Sequence, residues 1–235
     1  MTRKLRILII EDEIAIRTGL VDVFVYHGYE VDFSSNGTEG LHKALAGNFD
    51  LVLLDVMLPG MNGFEVCNRI RDKNRNLAII MLTAKSNDED IIEGLSLGAD
   101  DYVAKPFSVA QLVLRVQAVL RRSRGVLIKH QKIQLGDEIQ IDCQNLMGRR
   151  AEETVAFTRR EIEIIQYLQN HSERPVPREE LLSKVWGYAN HQEIETRTVD
   201  IHIAKLRRKI ETDPSEPKYL LTVRGAGYRL ISHPL

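Results

Sequence analysis

A chain of 235 residues, 43% hydrophobic and 28% charged, is long enough for one large domain or two ordinary ones, each with its own core. That composition excludes a disordered or a membrane-embedded chain, and no apolar stretch approaches bilayer-span length, so no membrane partner is expected. The net charge of −1 hides an asymmetry: residues 1–122 carry 14 Lys+Arg against 17 Asp+Glu, whereas residues 123–235 carry 18 against 16, with Lys205, Arg207, Arg208 and Lys209 clustered. A mildly basic second half with such a cluster hints at a nucleic-acid partner. The opening MTRKLRILIIEDE turns acidic after four apolar residues, unlike a signal peptide. The two cysteines, Cys67 and Cys143, lack metal-ligand spacing and read as reduced, which places the chain in the cytoplasm.

In chain order, five short apolar runs come first: LRILII (5–10), YEVDF (29–33), FDLVLLD (49–55), LAIIML (77–82) and DYVAK (101–105). Four of them are continuous, as strands covered on both faces require. Amphipathic stretches such as Glu13–His27 and Thr38–Ala46 separate them. This alternation predicts an α/β doubly wound sheet of five parallel strands over residues 1–122. Its last helix opens at Ser108 with Gln111 three residues on, a capping box, and ends in Arg121 and Arg122, which suit the negative end of the helix dipole. Residues 123–130 are polar and read as a linker. Over 131–235 come short alternating runs (KIQL, EIQID, NLMGR, TVAF) and three helical patterns: Thr158–Asn170, Arg178–Trp186 and Thr196–Glu211. KYLLTV and GYRLI, joined by Arg-Gly-Ala-Gly, close the chain as a hairpin. Strands, three helices and a terminal hairpin predict an α+β winged helix.

In an open α/β sheet, function gathers outside the carboxyl ends of the strands. There the sequence places Glu11-Asp12-Glu13, Asp55, Thr83 and Lys105-Pro106. Converging carboxylates repel unless a hard divalent cation such as Mg²⁺ (or Mn²⁺) joins them, and an aspartate so held can attack phosphorus. Lys105 offers a point charge and Thr83 a hydroxyl to phosphoryl oxygens, and the Pro59-Gly60 turn lets the Met57 carbonyl face the metal. Taken singly, Asp12 and Thr83 also suit capping roles, and Lys105 a solvated loop position.

Glu11-Asp12, Asp55 with Met57-Leu58-Pro59-Gly60, Thr83-Ala84, and Asp100-Asp101-Tyr102 with Lys105-Pro106-Phe107 resemble the flavodoxin-like receiver domain of two-component response regulators. The resemblance covers essentially all of 1–122. It implies that Asp55 accepts a phosphoryl group from a sensor histidine kinase. Asp12, Asp55 and the Met57 carbonyl would ligate Mg²⁺, with Glu11 acting through water. Thr83 and Tyr102 would be the switch pair. Such a chain is a stoichiometric acceptor rather than an enzyme. A metal-dependent phosphatase would need an acid two residues after the nucleophile, where Met57 stands. A constitutive DNA binder with a vestigial receiver is opposed by the intact acid, Thr and Lys set.

In the last helical pattern Val199, Ile203, Leu206 and Ile210 form one apolar stripe, opposite Arg197, Ile201, Ala204, Lys205 and Arg208, with His202 and Arg207 on the flanks. Residues 131–233 are similar to the winged-helix output domain of the largest response-regulator subfamily, through Phe157-Thr158, Glu161, Val185-Trp186, Arg197 to Ile203, Leu206 to Lys209 and Thr222 to Tyr228. The resemblance implies that Arg197, Thr198, Ile201, His202, Lys205, Arg207 and Arg208 lie on the side facing double-stranded promoter DNA. Arg224 would enter a minor groove, and Thr222, Trp186 and Tyr228 would meet phosphates or shape the wing. Trp186 and Tyr228 fit plain core aromatics equally well. It also implies RNA polymerase as a further partner and a homodimer on phosphorylation. The dimer face would bear Asp100, Asp101, Arg115 and Arg122 as charge pairs, beside an apolar patch with Leu95 and Val113. Ile91 and Gln111 replace a third charge pair of relatives, which predicts weaker salt dependence and a partly dimeric unphosphorylated form.

Overall fold

The computed structural model describes residues 3–83, 94–123, 132–150, 153–188 and 197–233, with side chains to Arg121 in the second of these segments. Ile91, the Arg122 side chain, most of the helix predicted at 87–97 and the linker at 124–130 lie outside the described residues; 94–97 are helical. The chain divides into two compact units between Gly125 and Val126.

In the first unit β1 (Arg6–Ile10), β2 (Glu30–Ser34), β3 (Leu51–Asp55), β4 (Ala78–Thr83) and β5 (Asp101–Ala104) form one parallel sheet in the order β2-β1-β3-β4-β5. β3 and β4 are buried at every residue, which explains their unbroken apolar composition. Besides the helical residues 94–97, four helices are described in full: α1 (Ile14–Tyr26), α2 (Gly37–Ala46), α3 (Gly63–Lys73) and α4 (Val109–Ser123). On one sheet face Ile7, Ile9, Leu51, Leu53, Ile80 and Leu82 pack with Leu20 and Phe24 of α1 and Leu112, Val116 and Leu120 of α4. Asn36 and Asn62 start α2 and α3, each side chain accepting the backbone N–H three residues on at 2.9 Å. Gln111 N–H reaches Ser108 Oγ at 3.4 Å at the start of α4.

Two details of this unit aim the site. The sheet order reverses around β1, so the crevice opens above the ends of β1 and β3. The register sets Ile10 beside Leu54, Asp55 beside Leu82, and Thr83 beside Ala104. Glu11 and Asp55 therefore leave the sheet side by side, with Thr83 one residue and Lys105 two residues further out at the same edge. Gly63 lets α3 start against this edge: a Cβ there would stand 2.1 Å from the Asp55 carbonyl oxygen.

In the second unit β6 (Lys132–Leu135), β7 (Ile139–Asp142), β8 (Met147–Arg150) and β9 (Glu153–Ala156) form an antiparallel meander. α5 (Arg159–Asn170) opens with a full capping box between Thr158 and Glu161. α6 (Arg178–Leu181) does not continue as the single α-helix predicted to Trp186. It widens into a π-type turn over Leu182–Trp186 and stops at left-handed Gly187, so that Val185 and Trp186 are buried. α7 (Arg197–Ile210) follows, then β10 (Leu220–Val223) and β11 (Gly227–Leu230) as the predicted hairpin. Tyr228 bridges back to Val176. Gly227 permits this, with φ 117° and no room for a Cβ, which would stand 2.0 Å from the Val176 carbonyl.

Candidate functional site

At the crevice Lys105 Nζ lies 2.8 Å from Asp55 Oδ2, 2.8 Å from Glu11 Oε2 and 3.6 Å from Glu13 Oε1. Glu11, Asp55 and Thr83 are buried, while Asp12 is exposed at the mouth. The Lys105 N–H donates to the Thr83 carbonyl at 2.7 Å, tying the two strand ends together. Met57 N–H donates to Asp55 Oδ1 at 3.1 Å, which orients the carboxylate. Burial drives the Glu11 carboxyl up to about 7; Lys105 opposes this and the neighbouring Asp55 reinforces it. Burial works against the Lys105 ammonium, but its bonds to Asp55 and Glu11 outweigh that and raise its pKa. Carboxylate oxygens of Glu11, Asp12 and Asp55 lie within 4.8 Å of one another. An all-oxygen, acid-rich donor set with one ammonium fits a hard divalent cation such as Mg²⁺. Arg17 was not foreseen: its guanidinium donates to the Glu11 and Asp12 carbonyls at 2.7 and 2.9 Å and pins the loop that carries both acids.

α7 of the second unit presents two different sides. Arg208 and Ala204 are exposed, as are Thr222 and Arg224 on the hairpin, and Arg197 is half-buried. His202 and Thr198 are buried instead, which corrects their assignment to a DNA-facing side, and Trp186 is buried too, as the core-aromatic reading of it requires. His202 Nδ1–H donates to the Thr198 carbonyl at 2.8 Å, and its ring meets the Trp186 edge at 5.1 Å. Burial lowers the His202 pKa to about 4, so the ring is a neutral core group. Tyr228 is a core aromatic too, its hydroxyl donating to Asp200 Oδ1 at 2.5 Å and accepting from Arg178 at 2.9 Å. Ile201 is 9% exposed, at the rim of the core. Lys205 pairs with buried Glu161, and Arg207 donates to the Leu220 carbonyl and Thr222 Oγ1, bracing the wing. The residues that hold this interface in shape (Glu161, Arg178, Asp200, Glu211) escaped the sequence reading as site residues. Only Glu161 carried a signal, as the third residue of a capping box.

Comparison with known proteins agrees with this geometry. Residues 7–117 match the response regulator receiver domain family, and residues 152–230 match the family described as transcriptional regulatory protein, C terminal. The probable transcriptional regulator ycf27 of Guillardia theta is 40% identical over 229 residues, covering 96% of this chain and 90% of that one. CusR of Escherichia coli K12 is 36% identical, covering 96% and 97%. Among solved structures, a RitR mutant superposes with TM-score 0.74 at 30% identity, covering 97% of this chain and all of that one. Thermotoga maritima DrrB, an OmpR/PhoB homologue, gives 0.52 at 30% identity, covering 97% and 99%. The chain belongs to the OmpR/PhoB family of response regulators. It is a DNA-binding regulator of transcription with a receiver domain.

Several residues assigned to the dimer face of this response regulator are used inside the receiver. Asp100 is buried: its Oδ2 accepts from Arg71 of α3 at 2.9 Å and from the Ile79 N–H at 2.8 Å. Arg71 is itself buried, and its remaining bonds run to the carbonyls of Gly98, Asn74 and Leu77. A buried carboxylate this well satisfied is not a surface charge awaiting a partner. Leu95 and Val113 are 1% and 6% exposed, so they are core rather than an open patch. Asp101 pairs with Arg115 of its own chain at 2.7 Å. Gln111 is exposed and Tyr102 half-buried; among the described residues, the large apolar side chains that α4 exposes are Val109 and Leu114.

Proposed function

We propose that Asp55 accepts a phosphoryl group from a histidine kinase and that this acceptance promotes promoter binding. The observation that carries the reading is Asp55, fixed at the end of a wholly buried strand with Lys105 Nζ 2.8 Å from Oδ2 and Glu11 and Asp12 beside it. The Asp55 carboxylate attacks phosphorus as the bond from phosphorus to the kinase imidazole nitrogen breaks, and the imidazole leaves with that electron pair. Lys105 stays bound to the carboxylate and meets the incoming oxygens, and Thr83 offers its hydroxyl to one of them. Asp12, Asp55 and the Met57 carbonyl, with Glu11 through water, would hold Mg²⁺ or Mn²⁺, which would supply charge neutralisation. Methionine at position 57, rather than an acid, supports acceptance without turnover.

The transferred group adds about two negative charges. Thr83 then moves toward it, Tyr102 turns into the space released, and two receivers pair. Pairing raises the effective concentration of the second output domain on a double site. The regulator works in the cytoplasm, with RNA polymerase as the downstream partner. Incubating the full chain with Mg²⁺ and a small acyl phosphate adds one phosphoryl group, read by intact mass, and tightens retention on genomic fragments. Asp55→Asn prevents both. An equal mass gain in that variant would refute the assignment of the acceptor.

A further inference from the structure

Within α7, residues 198, 202, 205 and 209 recur at i, i+4, i+7 and i+11 and share one stripe. Its first two members, Thr198 and His202, are buried. The last two are lysines whose side chains are only 12% and 20% exposed, and both end on Glu161, which is 0% exposed. Lys209 Nζ lies 2.6 Å from Glu161 Oε2 and 2.8 Å from the Ala156 carbonyl. Lys205 Nζ stands 3.2 Å from Oε1. The same Oε2 accepts the Thr158 N–H at 2.8 Å, so one carboxylate starts α5 and receives both ammoniums of α7. Burial alone would raise the Glu161 pKa, but the two lysines and the Thr158 N–H outweigh it and the net shift is downward. The other stripe of α7, residues 197, 201, 204 and 208, carries the exposed Ala204 and Arg208.

We infer that Glu161 withholds Lys205 and Lys209 from DNA phosphates and thereby serves as a specificity-determining, positioning residue of the output domain. The inference rests on the DNA-binding function of this domain. Pulling either lysine out to a phosphate leaves a buried carboxylate with one counter-charge fewer, an exchange the interior penalises. Phosphate contacts strengthen binding to every sequence alike, so two lysines kept inside lower generic affinity without touching base readout. Glu161 also fixes which side of α7 turns inward, leaving Ala204 and Arg208 exposed on the other.

The test is the salt dependence of binding to a random-sequence duplex by the full chain. Each phosphate neutralised contributes about 0.9 to the slope of log K against log salt. Lys205→Met and Lys209→Met are each expected to leave the wild-type slope unchanged, and a fall of about 0.9 in either would overturn the inference. Glu161→Gln keeps a residue able to serve in the capping box while removing the charge. It is expected to steepen the slope by about 1 to 2 and to tighten random-duplex binding several-fold at low salt. A Glu161→Gln protein that melts earlier but binds with the wild-type slope would reduce Glu161 to a structural residue. If wild type itself bound the duplex without salt dependence, the DNA-binding premise would fall first.

Discussion

At the residue scale, Lys105 is the sole ammonium bonded to two buried carboxylates among the described residues, and without a cation it alone offsets their repulsion. Removing one partner of a buried ion pair strands the other, which costs far more than the pair itself contributes. Lys105→Met is therefore expected to lower the melting temperature of the metal-free receiver by about 5 °C or more. Added Mg²⁺ should then recover more stability in the variant than in wild type, because the acids have lost their internal competitor. Differential scanning calorimetry with chelator and with Mg²⁺ measures both, and equal Mg²⁺ gains in the two proteins would contradict the balance described. Arg17 belongs to the same scale. Its two bonds to the Glu11 and Asp12 carbonyls fix the acid loop from behind without entering the crevice.

At the scale of elements, Glu211 joins α7 to the wing. It is buried one residue beyond the helix, and its carboxylate accepts the N–H groups of Lys218, Tyr219 and Leu220 at 2.9, 3.0 and 2.7 Å. Backbone donors bonded to a charged acceptor are each costly to abandon. Glu211→Ala should cost the output domain about 3 kcal/mol or more and speed amide exchange of 218–220 ahead of global unfolding, measured by hydrogen exchange. Wild-type exchange rates there would show that the carboxylate does not hold β10. Elements of this kind explain what was legible in the sequence. All eleven strands read from apolar and alternating runs were found, as was Thr83 beside Lys105, because strands and their ends follow from local patterning and short connections. The face of α7 was not fully legible. Helical spacing separates one side from the other, but Lys205 and His202 lie on a flank whose fate depends on Glu161 and Trp186, far away in sequence. Asp100 failed for the same reason, since nothing near it announces Arg71 as its partner. The π-type turn at Leu182–Trp186 likewise leaves no mark in the spacing that predicts an ordinary helix.

At the scale of the whole molecule, each of the two compact units has its own buried core, so unfolding should be resolved into two transitions rather than one. Separate levers act on them. Glu11, Asp12 and Asp55 form the acid cluster that would hold Mg²⁺ under the proposed function, and a ligand that binds only the folded receiver should raise the receiver transition alone. Acid acts on the output domain through His202, whose pKa falls from 6.5 to about 4 on burial. Between those values the unfolded chain takes up a proton that the folded domain refuses. The stabilising contribution of neutral His202 is thus complete above about pH 6.5 and is lost as pH falls toward 4. A fall from 6.5 to about 4 corresponds to a contribution on the order of 3 kcal/mol over that window. His202→Gln loses packing against Trp186 and is less stable than wild type at neutral pH, but it has no imidazole to titrate. The gap between the two proteins in the output-domain transition should therefore shrink steadily from pH 7 to pH 4, with the receiver transition of both unchanged by the substitution. A gap independent of pH would mean that His202 is charged in the folded domain or exposed to water.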